Sequence, residues 1–174
     1  MPSFEDIRRW FGVIFVRRGH YANAIFKFRV ELPAEYNDKG TWPRVVFTTP
    51  IFNPLVDPVT KEFHIKYFYP QWDPHDNAKC CYMVGVLTYL KKIFYLDNEF
   101  YTKCPANMAL NSEALKLYKT DKAQFIARVT ACVQASQDTV YENEPGSSLP
   151  FTEPKPVHDS LRQTVLAPYT DTVL

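Results

Sequence analysis

Long apolar runs are missing from this sequence. Nowhere do roughly 18 apolar residues follow one another, the length a membrane-spanning helix needs, so no direct membrane insertion is expected. Residues 1–10, with Glu5, Asp6, Arg8 and Arg9, lack the apolar stretch of a signal or transit peptide, which leaves a cytoplasmic protein as the expectation. An excess of charge is lacking too, since 20 Lys and Arg stand against 19 Asp and Glu. That balance offers no basic face to nucleic acid and no acidic tail to a polycation, so recognition has to rest on shape. Paired cysteine spacing is also absent. Cys80 and Cys81 are adjacent and Cys104 and Cys132 stand alone, which favours buried thiols in a reducing compartment over disulfides. The same spacing gives no zinc knuckle, Cys104 and His75 are unsupported as ligands, and neither metal nor cofactor is expected. His20, His64, His75 and His158 are scattered without a carboxylate or thiol at a telling interval, and no internal repeat is visible.

Aromatic residues, by contrast, are plentiful: 11 Tyr, 13 Phe and 3 Trp are enough to fill one core in a chain of 174 residues. Trp10 to Arg18 reads as a strand, and Phe26, Phe28, Val30 and Leu32 alternate with Lys27, Arg29 and Glu31 as a half-buried antiparallel strand should. Arg44 to Thr48 gives a third strand, and the aromatic and β-branched run Glu62 to Phe68 a short fourth one, after a proline-rich loop. Asp73-Pro74 reads as the start of a helix reaching about Leu96, with Cys80, Met83, Val84, Leu87, Leu90 and Phe94 on its buried face and Lys91 and Lys92 in water. Asn111 opens another helix, and Asp121 with Gln124 forms the capping box of a further one that carries Phe125, Val129, Cys132 and Val133 inward. The domain is expected to span residues 1–141, with its core at 4–141. Residues 142–174 are expected to form a Pro- and Ser-containing linker and flexible tail, with a short helix at 157–166.

A four-strand meander, a proline-rich loop and then helices is the element order of the ubiquitin-conjugating (UBC) fold, an α+β architecture, and particular residues resemble it. They are Phe47, Pro50, Phe52 and Pro54 in Phe47-Thr48-Thr49-Pro50-Ile51-Phe52-Asn53-Pro54, Trp72 and Pro74 in Trp72-Asp73-Pro74, and Leu110, Asn111, Tyr118 and Phe125 downstream. Trp10-Phe11-Gly12-Val13-Ile14-Phe15, Phe26-Lys27-Phe28 and Pro54-Leu55-Val56-Asp57-Pro58 resemble more narrowly the AKT-interacting, Fused Toes or crossbronx group of conjugating-enzyme variants. The family's helix before the first strand is expected to be missing, because only nine residues precede Trp10. The resemblance implies a protein-binding subunit of a Hook-containing complex in endosomal vesicle transport linked to dynein, peripherally associated with endosomal vesicles. The partners it implies are a Hook-family coiled-coil protein and a Hook-interacting protein, with an AKT kinase and ubiquitin as further candidates.

Conjugation needs a thiolate to carry ubiquitin as a thioester and a side-chain amide to steady the oxyanion of transfer. In active relatives the cysteine lies about ten residues after the His of a His-Pro-Asn motif. Setting that motif on Asn53-Pro54-Leu55 places Phe63 at the nucleophile and Leu55 at the amide. A phenyl ring forms no thioester, and loss of one oxyanion donor alone costs ~2.7–4 kcal/mol of barrier. The expectation is therefore a non-enzyme. Two alternatives remain: a helper that binds ubiquitin without covalent chemistry, and an active enzyme using Cys80 or Cys81 as a displaced nucleophile.

Overall fold

The computed structural model describes residues 1–76 and 81–170, the side chains of 166–170 excepted, so Cys80 and the end of the chain lie outside the described residues. Strands β1 (Arg9–Phe15), β2 (Ile25–Glu31) and β3 (Arg44–Phe47) form an antiparallel meander in the order β1-β2-β3. Its register pairs Gly12 with Phe28 and Phe28 with Phe47, which puts Phe26, Phe28 and Val30 on one face with Val45 and Phe47. All five are buried, as the alternation in sequence requires. Gly12 is small for a reason: a Cβ there would stand 2.2 Å from the Phe28 ring, which lies across it.

The helices follow the sheet. A single turn, α1 (Ile65–Phe68), precedes α2 (Met83–Lys92), which tightens into a 3-10 turn at Ile93–Tyr95; α3 (Asn98–Lys103), α4 (Ser112–Thr120), α5 (Lys122–Asp138) and α6 (Pro156–Thr170) complete the chain. The core lies between the inner sheet face and α2, α4 and α5, and is largely aromatic. Phe94 stacks on Phe26 at 5.0 Å between centroids and meets Phe47 edge-on at 6.0 Å. Two side-chain caps fix the later helices: Asn111 Oδ1 accepts from the Ala114 N–H at 3.0 Å, and Asp121 Oδ1 from the Gln124 N–H at 3.0 Å. The expected starts at Asn111 and Asp121 therefore hold.

The α+β architecture is as expected, but two elements differ in detail. Glu62 to Phe68 is not a fourth strand. Lys61 sits at φ +59, and after two isolated bridges, Val46 with Glu62 and Val56 with Phe63, the chain coils into α1. Of the helix expected from Asp73, the described residues show Met83–Lys92, whereas at Asp73 itself the carboxylate closes a local turn by accepting the His75 N–H at 3.2 Å. Of the face expected to be buried, Leu90 and Phe94 are in the core and Met83 is half-buried, but Val84 and Leu87 are exposed, and Val86 and Ile93 face inward in their stead. Ahead of β1 the described residues hold no helix, and Pro2 bridges to Trp10.

Residues 142–151, read as linker from their composition, lie against the outer sheet face. Lys27 Nζ donates to the Glu142 carbonyl at 3.0 Å, Arg29 pairs with Glu144 at 2.8 Å, and the Phe151 ring meets that of Phe15 at 6.4 Å. Further on, α6 covers and extends the stretch expected to be helical at 157–166, with Val157, Leu161 and Val165 exposed. No helix among the described residues is long and apolar enough to cross a membrane.

Candidate functional site

The loop Ile51–Val56 enters the core and stays there, every residue of it buried. Asn53, fully buried, donates through Nδ2 to the Ile93 carbonyl at 2.9 Å and to Tyr21 Oη at 3.2 Å, while its Oδ1 accepts the Leu55 N–H at 2.9 Å. Each bond satisfies a group that water cannot reach, so Asn53 is a three-way brace between the loop, α2's end and the hairpin after β1. Tyr21 completes it by donating to the Phe52 carbonyl at 2.6 Å. Its burial beside Tyr101 holds the phenol far above its usual pKa, so it stays a donor at any working pH. Tyr21 was not singled out in the sequence, where it looks like one aromatic residue in a hairpin connection.

Several of the residues quoted from the motifs converge here. The Asn111 N–H donates to the Pro54 carbonyl at 3.1 Å, joining the loop to the cap of α4. Phe52 packs on Phe125 at 5.9 Å, and Tyr118 lies flat on Tyr101 at 3.6 Å and edge-on to Phe125 at 5.1 Å. Phe47 belongs to the same core, whereas Pro50 is exposed at the loop's entrance. Two tryptophans lie in other settings. Trp10 donates from Nε1 to the Ile7 carbonyl at 2.7 Å, and Trp72, buried, packs on Tyr36 and Tyr69 with Pro74 half-buried in the turn behind it.

Leu55 is fully buried and presents only a hydrocarbon side chain. Phe63 is 2 % exposed, its ring 6.0 Å from that of Phe68, at the floor of an open groove of about 460 Å³ whose rim includes Trp42, Arg44, Glu62, His64 and Leu110. Leu110 is partly exposed on that rim. Arg44 is held there by Glu62 at 2.9 Å and Glu31 at 3.0 Å, and Lys66 lies over the Trp42 ring at 4.6 Å. His64 is 3.0 Å from the Met108 carbonyl through Nδ1, and burial lowers its pKa more than that carbonyl raises it, with Lys66 lowering it further. The groove therefore offers a neutral imidazole and two engaged cations, with a ring at its base.

The described thiols lie elsewhere. Cys81 is buried, Cys104 is buried with its pKa raised by desolvation, and burial pushes Cys132 up to about 11. His75 lies in an exposed turn and His158 on exposed α6, while His20 packs edge-on to Tyr118 and Phe125. No cluster of three or more metal-ligating side chains occurs among the described residues.

Comparison with known proteins agrees with this arrangement. The family model for ubiquitin-conjugating enzymes matches residues 1–133. The AKT-interacting protein of Xenopus tropicalis is 36% identical over 170 residues, covering 95% of this chain and 54% of that protein, and the AKT-interacting protein of Homo sapiens is 34% identical over 169 residues with the same coverage. The chain thus spans about half the length of the curated relatives it matches. With the meander, the buried Asn53-Pro54-Leu55 loop and the capped helices in the family's order, this chain belongs to the ubiquitin-conjugating enzyme family.

Proposed function

We propose that this chain is a variant of the conjugating fold that forms no thioester and works by binding other proteins. The carrying observation is Phe63, a buried ring at the position where the motif's spacing would put the nucleophile, with Leu55 where an amide would be needed. A second support is that the thiol groups at Cys104 and Cys132 are held protonated by burial, the opposite of what a nucleophile requires. The finer reading is a subunit of a Hook-containing complex that joins endosomal cargo to dynein, with a Hook-family coiled-coil protein and a Hook-interacting protein as partners. It rests on the resemblance of residues 10–140 to the Fused Toes group, and it carries peripheral association with endosomal vesicles in the cytoplasm with it. An AKT kinase is a further candidate partner, supported by the name that the relatives bear.

Incubation with activating enzyme, ATP and ubiquitin tests the chemistry. No reducible adduct is expected; a thiol-sensitive adduct lost on Cys80→Ser or Cys81→Ser would overturn the proposal. Affinity purification of the chain from cells, followed by mass spectrometry, tests the partners, and recovery without any Hook protein removes the transport reading.

A further inference from the structure

The outer face of the sheet is covered by a segment that is not part of the sheet. Lys27 and Arg29 project from β2 on this side, framed by Val13 and Phe15 of β1. Residues 142–151 cross them. Arg29 Nη1 takes Glu144 Oε1 at 2.8 Å, Lys27 Nζ lies 4.8 Å from the Phe151 ring centre, and Phe15 meets that ring edge-on. Asn143 braces the crossing, its amide bonded both ways to the backbone of Phe151 at 2.8 Å.

Two features make this cover removable. Among the described residues no backbone hydrogen bond joins it to a strand; its polar attachments to β2 run through the side chains of Lys27 and Arg29. Lifting it leaves every ladder bond of the meander intact. Its central contact is also incomplete, because Glu144 Oε2 is buried with no hydrogen-bond partner among the described residues while Oε1 alone meets Arg29. A desolvated carboxylate oxygen left unpaired weakens closure, and a ligand that seats both oxygens gains over it.

We propose that the outer sheet face is a docking surface for an acidic, aromatic-bearing segment of another protein, closed in this chain by its own residues 142–151. The cis segment states the ligand's chemistry: a carboxylate for Arg29, a carbonyl for the Lys27 ammonium, and an aromatic ring seven residues beyond the carboxylate, under Lys27 and against Phe15. Because the segment follows α5 directly, it competes at high effective concentration and keeps the face closed to weak ligands.

The test is a fluorescent peptide with the sequence of residues 141–152, titrated by anisotropy into the full chain and into its E144A/F151A variant, which leaves the sheet face unaltered. Binding is expected to be at least about tenfold tighter to the variant, and to be lost when R29A is added or when the peptide's acidic residues are changed to lysine. Hydrogen exchange on the variant is expected to show faster exchange in 142–151 with the β2 and α5 amides still protected. The proposal is overturned if the segment opens and the peptide binds no better, or if binding survives R29A. It is also overturned if β2 loses protection in the variant, which would make the segment part of the core. Light scattering that shows two copies exchanging the segment would assign the face to self-association and overturn it as well.

Discussion

Asn53 and Phe63 show at the level of single residues why the degenerate motif is retained as structure. Asn53→Ala leaves the Ile93 carbonyl and the Leu55 N–H buried without partners, at about 1–3 kcal/mol for each orphaned group. The expected loss in urea unfolding is therefore about 3 kcal/mol, far above that of an exposed Asn→Ala change. Phe63→Cys would put sulfur where the family's spacing asks for it, yet no ubiquitin adduct is expected, since the side chain there is buried and Leu55 provides no donor. The substitution also opens a cavity, for which about 3 kcal/mol of destabilisation is expected. His64 sets a pH dependence. Its pKa in the folded chain lies below the ordinary 6.5, so as pH falls from 7.5 the unfolded chain takes up the proton first. The contribution of His64 is complete above about 6.5 and is lost as pH falls through the folded-state value. Urea midpoints measured from pH 7.5 to 5 are expected to fall, and to fall less steeply in His64→Gln; an unchanged slope would remove His64 from the account.

At the scale of elements, caps and alternation carry the most information. Asp121 provides its carboxylate to the first turn of α5, whose Phe125 and Val129 are core residues. Asp121→Ala is expected to cost about 1 kcal/mol and to raise hydrogen exchange first in residues 122–126. Strand β2 and the α4 and α5 starts were legible because one-sided alternation and Asx caps are local signals. Helix α2 was not. Its run Met83-Val84-Gly85-Val86-Leu87-Thr88-Tyr89-Leu90 is apolar on both sides, so three- and four-residue spacings fit the observed Val86 and Leu90 face and the exposed Val84 and Leu87 equally well. Glu62 to Phe68 has strand composition, but Lys61 turns the backbone into the left-handed region before a ladder can extend. The candidate site was legible as a motif at Asn53, Leu55 and Phe63; Tyr21, which bonds into it, was hidden because its partner lies 32 residues away in sequence.

The whole molecule separates into a body and a free helix. Among the described residues the hydrogen bonds made by α6 side chains are local, such as Thr164 to the Ser160 carbonyl at 2.9 Å, and Val157, Leu161 and Val165 are exposed. Removal of residues 155–174 is expected to shift the melting temperature by less than about 2 °C, and limited proteolysis to cut near Lys155 before any site in the body. Residues 142–151 behave in the opposite way, and composition could not have shown it. Pro145, Gly146, Ser147 and Ser148 form a turn, yet Glu144 and Phe151 on either side of it are anchored to strands at the other end of the sequence. Lys27 and Glu142 are 115 residues apart. At roughly 5–20 residues added per second, a ribosome needs on the order of ten seconds to supply the second after the first. The cover over Lys27 and Arg29 is therefore the late step in each newly made molecule: β2 leaves the ribosome well before its partners in 142–151, which follow α5 and can close over the strand only once that helix has been made.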